Sequence, residues 1–218
     1  MYLFSYNMFQ WLLFCVILFT LVVTVVLEHF KEGFYVNTET QFKFAQGLMF
    51  LEVVNAALKL TKSGVIPTLM QIAGRGLFIF VIIPNEPRIQ SSAVVCALFF
   101  VYASVETIRY PFYMGQVFSK EWYPLTWLRY TVWIVLYPLG MFLEGWVLYL
   151  FIEHRAEQMY DGEYTQHVPL IMIPIAILML IADVTMLRYM WKQRVKKLGG
   201  GSSKQRFRRG PPRKAKMT

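Results

Sequence analysis

Arg129, Trp133, Tyr137, Gly140 and Glu144 follow one another at steps of four, four, three and four residues. Residues three and four apart are neighbours on a helix surface, so these five share one face. The run that carries them, LRYTVWIVLYPLGMFLEGW, is otherwise apolar enough to sit in lipid. An ionisable group inside a span is costly and by default faces a bundle interior or a cavity. A phenol and a carboxyl on such a face are the parts of an acid–base pair. Along a helix axis Arg129 lies about 12 Å from Tyr137, and Tyr137 about 10 Å from Glu144. A direct Tyr–Glu hydrogen bond is therefore not expected, and both groups must act on a substrate held between them. Gly140 leaves room for that substrate or for a neighbouring helix. Pro138 frees a backbone carbonyl and is expected to kink the helix.

Other polar residues fall inside apolar runs. Glu52, Asn55 and Lys59 step by three and four, Gln71 and Arg75 by four, and Glu106 and Arg109 by three. Glu52 and Glu106 read equally as partners of arginines or as functional carboxylates. Asp183, five residues before Arg188, reads as a snorkelling or paired group. Several common chemistries have no motif here: there is no G-x-S-x-G elbow, no H-E-x-x-H and no phosphate-binding P-loop. Neither Cys15 nor Cys96 has an arginine six residues on, as a cysteine-type phosphatase loop needs. What remains is acid–base work by a phenol and a carboxyl beside guanidinium groups. No metal and no cofactor is expected.

These residues need helices to position them. The chain is 56% hydrophobic with a mean hydropathy of +0.43, and only 16% of its residues are charged. A soluble domain has about a quarter charged, and long apolar runs recur, so the class is a polytopic membrane protein. Six spans are predicted, at roughly residues 8–27, 44–60, 65–83, 92–109, 126–151 and 168–190. The fold class is thus all-α, a bundle of six transmembrane helices around a polar site. The first run has no basic residue before it and no small-x-small cleavage signature after it, and is expected to be a retained span.

The net charge of +9 is a property of one end: 12 of the 22 Lys and Arg lie from Arg188 onward, with no acid among them. Such a tail suits a cytosolic anchor beside anionic lipid better than nucleic acid. With the loop charges it predicts both termini in the cytosol. We divide the chain into a transmembrane catalytic domain, 1–197, and a disordered basic tail, 198–218, whose Gly, Ser and Pro content cannot build a core. Its last residues, KAKMT, resemble a dilysine signal for the endoplasmic reticulum.

Tyr137–Pro138–Leu139–Gly140 followed by Glu144, with Leu128–Arg129–Tyr130 upstream, resembles the very-long-chain (3R)-3-hydroxyacyl-CoA dehydratases, also called the protein tyrosine phosphatase-like family. Leu51–Glu52, the segment from Gln71 to Arg75, and Ile108–Arg109–Tyr110–Pro111–Phe112–Tyr113 agree with it in the same order. The resemblance implies that Tyr137 and Glu144 are the catalytic pair, supported by Glu52, Gln71, Arg75, Arg129 and Gly140. It also implies an enzyme of the endoplasmic reticulum membrane that dehydrates long-chain 3-hydroxyacyl-CoA in fatty-acid elongation. Its expected partners are the acyl-CoA substrate, membrane lipid, and the elongase, ketoacyl-CoA reductase and enoyl-CoA reductase. Two rivals stand beside this reading, a catalytically silent adaptor of the same fold and a small-solute or proton transporter.

Overall fold

The structure, a computed structural model, describes residues 1–27, 33–61, 63–118, 122–160 and 168–198. All regular structure among them is helical. The long elements are α1 (Tyr2–Leu27), α2 (Gly33–Ala57), α3 (Val65–Gly76), α5 (Ala93–Val117), α6 (Tyr123–Tyr160) and α7 (Val168–Leu198). A short α4 (Pro87–Gln90) sits between α3 and α5. The tail from 199 onward lies outside the described residues.

The rods run up and down. Near one end Phe4 of α1 meets Phe118 just past α5 at 5.1 Å. There also the Tyr2 hydroxyl donates to Asn55 Oδ1 in α2 at 3.3 Å, and Arg194 of α7 donates to the Tyr130 carbonyl of α6 at 2.6 Å. At the other end Arg88 of α4 donates to the His154 carbonyl of α6 at 2.7 Å. The core lies between α1, α2 and α5, where Phe14 stacks on Tyr110 at 6.0 Å and Phe42 meets Phe99 at 4.3 Å. Aromatic side chains bury large apolar area and set the spacing of such a seam. In contrast, α7 turns Ile173, Ile177, Leu178, Leu180 and Ile181 outward.

The protein is a multi-pass membrane protein, and length and composition support five of the six expected spans. Among the described residues, five helices are long and apolar enough to cross a membrane: α1, α3 with its extension to Ile82, α5, α6 and α7. The exception is α2. It turns Val36, Phe44, Phe50 and Val54 outward and buries Phe34, Phe42 and Met49, but Thr38, Gln46, Glu52 and Asn55 lie among its inner groups and lower its average. Those inner groups are satisfied inside the bundle, as a low-dielectric interior demands. Thr38 donates to the Phe34 carbonyl at 2.6 Å, Gln46 donates to the Ile72 carbonyl at 2.9 Å, and Glu52 pairs with an arginine of α5.

Two local features place the site. After Gly76 the third rod widens into a π-helical segment, Leu77–Ile82, with the Ile83 N–H reaching Phe78 O at 3.1 Å. Such bulges shift the register of what precedes and follows them, and Arg75 stands just before this one. A Cβ on Gly76 would meet Phe80, Gln46 and Phe50 at 3.8–4.0 Å, ordinary contact distances that place the rod against α2. The second feature is α6 itself, which remains one helix through Pro138. It therefore carries the whole predicted stripe on a single rod. Lys59 stands beyond the end of α2, at φ 55°, and does not continue the Glu52–Asn55 face.

Candidate active site

All five residues of the α6 stripe line one cavity of about 100 Å³. Gln71 and Arg75 of α3 join them, with Tyr102 of α5 and Asp183 of α7. Met70, Met141, Met179, Met186 and Met190 supply much of the apolar wall. Thioether side chains are flexible and fill irregular space, which suits a wall that must adapt to a ligand.

The two groups expected to react are each held by another helix. The Tyr102 hydroxyl donates to Glu144 Oε1 at 2.6 Å, fastening the carboxylate to α5. The Tyr137 hydroxyl donates to Asp183 Oδ1 at 3.2 Å, fastening the phenol to α7. Tyr137 and Glu144 therefore line the cavity from the same face of α6, one held by α7 and the other by α5, and have no hydrogen bond to each other among the described residues. Of the two expectations for Asp183, pairing holds and snorkelling does not: its partner is Tyr137, and it faces the cavity.

Arg75 stands beside them. Its guanidinium lies 4.9 Å from the Tyr102 ring centroid, a cation–π distance, and forms an ion pair with Glu106. Glu106 also meets Arg109 Nε at 2.8 Å, and Arg109 Nη2 reaches Glu52 Oε1 at 2.6 Å. Tyr110 donates to the same Glu52 oxygen at 2.6 Å. The result is a buried ionic chain, Glu52–Arg109–Glu106–Arg75. Glu52 is thus separated from the α6 cavity and lines a second one of about 110 Å³ with Tyr6, Asn7, Asn55 and Gln116. Glu52 touches the site only through that chain, and the partner of Arg75 is Glu106.

Arg129 and Gln71 also line a vestibule of about 180 Å³ with Ser63, Thr68, Tyr189 and Gln193. It shares Met186 and Met190 with the α6 cavity. The cavity therefore continues toward the end of the bundle where α7 terminates. Far away, at the opposite end, Glu86 accepts from Arg88 Nε at 2.8 Å and faces Arg155 Nε at 3.5 Å. Burial works to raise this carboxyl, but the two guanidinium groups outweigh it and hold it below the ordinary carboxylate range.

Two participants were not singled out in the sequence: Tyr102, and Asp183 as a member of the site. Tyr102 had a signal. It precedes Glu106 by four residues and Arg109 by seven, so it shares their face of α5. Asp183 had none, because the pairing that defines it crosses from α6 to α7.

Residues 46–200 match the family described as protein tyrosine phosphatase-like protein, PTPLA. The chain is 41% identical over 147 residues to the very-long-chain (3R)-3-hydroxyacyl-CoA dehydratase 3 of Bos taurus, covering 66% of this chain and 40% of that one. It is 37% identical over 147 residues to the very-long-chain (3R)-3-hydroxyacyl-CoA dehydratase of Danio rerio, covering 66% and 41%. To the dehydratase PASTICCINO 2A of Oryza sativa subsp. japonica it is 34% identical over 142 residues, covering 63% of each. The matched part thus spans about two fifths of the length of the animal relatives. No solved structure matches the chain. Since the family match takes in the α6 stripe, the α3 pair and α7, and extends over more than half of the residues, the chain belongs to the protein tyrosine phosphatase-like family.

Proposed function

We propose that this protein dehydrates long- and very-long-chain (3R)-3-hydroxyacyl-CoA to trans-2-enoyl-CoA, the third step of fatty-acid elongation. One observation carries the reading. A phenol and a carboxylate on one face of α6 line the same small cavity, with a guanidinium and an amide beside them. The names of the relatives point the same way.

Loss of water across C2–C3 of a thioester needs a base for the C2 proton and an acid for the departing hydroxyl. We assign Glu144 as the base. Tyr102 orients its carboxylate without cancelling its charge, and a carboxylate in a low-dielectric cleft is a stronger base than one in water. Tyr137 is the acid, turned into the cavity by Asp183. The C2–H bond breaks toward Glu144, its electron pair becomes the C2=C3 bond, and the C3 oxygen leaves with the Tyr137 proton as water. One proton then returns from Glu144 to Tyr137 before the next turnover. Gln71 and Arg75 lie within the same cavity to bind the thioester end, and Gly140 keeps the space between acid and base open.

The coenzyme A arm runs out past Arg129 into the vestibule, because its phosphates belong in water beside positive charge. The acyl tail extends between helices into the apolar part of the bundle. We place residues 1–197 in the endoplasmic reticulum membrane as the catalytic domain, with both termini and the basic tail from 198 in the cytosol. The elongase and the two reductases of the cycle are its proposed partners. The test is purified protein in liposomes given a long-chain (3R)-3-hydroxyacyl-CoA. Enoyl-CoA should form from it and not from the (3S) isomer. A protein inert toward both would defeat the reading and favour the adaptor.

A further inference from the structure

The indole N–H of Trp133 is buried and has no hydrogen-bond partner among the described residues. The residue is only 5% exposed, and it lines the catalytic cavity. Three polar side chains of that cavity already have partners: Tyr102 in Glu144, Tyr137 in Asp183, and Arg75 in Glu106. The indole donor has none. A buried donor left unmade costs stability, and indole N–H groups usually find a partner when buried. Phenylalanine would fill the same wall without that cost. An orphaned donor beside an acid–base pair therefore points to an acceptor carried by the ligand.

Its place along α6 selects which acceptor. Trp133 lies about 6 Å along the axis from Arg129, which leads to the vestibule, and about 6 Å from Tyr137 on the other side. A substrate whose coenzyme A arm leaves past Arg129, with C2 and C3 between Tyr137 and Glu144, turns its thioester carbonyl to the Arg129 side of them, the side on which Trp133 lines the cavity. We propose that Trp133 Nε1 donates a hydrogen bond to the thioester oxygen of the substrate, and that this bond stabilises the negative charge that develops there as the C2 proton leaves. The indole keeps its proton throughout. The electron pair of the broken C2–H bond spreads onto the thioester oxygen and returns to form C2=C3 as the C3–O bond breaks. This role rests on the dehydratase reading above.

Trp133→Phe in the full chain tests it. Loss of a donor to developing charge lowers kcat by about 10²-fold, while KM changes by less than about threefold. The thermal midpoint of the substrate-free protein should fall little, because removal of an unpaired buried donor offsets the volume lost from indole to phenyl. A group that merely packs would give the opposite pattern, with lower stability and normal chemistry. The second variant replaces Trp133 with its benzothiophene isostere, which keeps the shape and puts sulfur where the N–H stood. It should lose kcat as Trp133→Phe does, and it decides the matter if the phenylalanine variant is unstable. Normal kcat in the isostere overturns the proposal. A rise in KM at unchanged kcat also overturns it, since the donor would then bind a carbonyl elsewhere on the arm. If the unmodified protein forms no enoyl-CoA, the dehydratase reading falls and takes this one with it. If it is active and the isostere equally so, only this inference is lost.

Discussion

Two sets of polar side chains adjoin each other along α5, and they are connected differently. In the chain Glu52–Arg109–Glu106–Arg75 carboxylates meet guanidinium groups, and Arg109 and Glu106 are 1% and 0% exposed. In the cavity next to it Glu144 and Asp183 meet phenols. A guanidinium cancels the charge of its partner and fixes it, whereas a phenol orients a carboxylate and leaves its charge in place. Charges that are neutralised inside the bundle hold helices together, and those held by phenols remain able to move a proton. Arg75 belongs to both sets, since it closes the ionic chain and lines the cavity.

The largest expected effect falls on the cavity. Glu144→Gln and Tyr137→Phe each keep the shape of the side chain and remove its proton chemistry. Turnover of a long-chain 3-hydroxyacyl-CoA should fall by about 10³-fold or more, within the range for loss of general acid–base catalysis or beyond it. Thermal stability in detergent should stay close to that of the unmodified protein. If either variant dehydrates normally, that residue leaves the catalytic pair and the contrast between the two sets fails.

Arg109→Met should show the reverse. It leaves Glu52 and Glu106 as buried carboxylates deprived of their shared cation. Breaking a buried pair from one side costs about 3–5 kcal/mol, so the thermal midpoint and the amount of inserted protein should both drop sharply. A stable but inactive Arg109→Met protein would move the ionic chain from scaffold to machinery.

The α6 stripe was legible because a single helix carries it. Its steps of three and four fix a shared face before any packing is known, and Arg129, Trp133, Tyr137, Gly140 and Glu144 do line one cavity. The pairings across helices were not legible. Whether Arg75 takes Glu52 or Glu106, and whether Tyr137 takes Asp183, depends on which rods are neighbours and at what height. The span expected at α2 is not established by its average for a related reason: that average takes in polar groups whose partners lie on α3 and α5.

Gly140→Leu sharpens the contrast from the side of space. A Cβ there meets only Val101 Cγ1, at 3.7 Å, so the backbone tolerates it. The rest of a leucine must enter the cavity of about 100 Å³. Overpacking costs about 1–3 kcal/mol, partly offset by about 1 kcal/mol of helix propensity gained over glycine. The protein should stay folded while turnover falls by about 10²-fold, since small misplacements at a reacting centre cost that much. Gly140→Ala should retain most activity. Full activity in the leucine variant would mean that this part of the stripe packs helices and does not face substrate.

The smallest effect belongs to the ion pairs at the far end, where Glu86 meets Arg88 and Arg155. Folding holds this carboxyl below its ordinary range, so its contribution to stability is full above the unfolded value of about 4.3. It is lost as pH falls through the lower folded value. The side chain of Arg88 is 41% exposed, and solvent and salt screen such a pair, which limits the contribution to about 0–1 kcal/mol. Glu86→Gln should therefore lower the thermal midpoint slightly at pH 7, and by less at high salt. The gap between variant and unmodified protein should close as the pH is taken down below about 4. A loss as large as that of Arg109→Met would show that these ion pairs, despite their solvent contact, hold α4 to α6 as firmly as the buried chain holds α2 to α5. Because they lie at the opposite end of the bundle from the vestibule, even that outcome should leave kcat unchanged in the protein that remains folded.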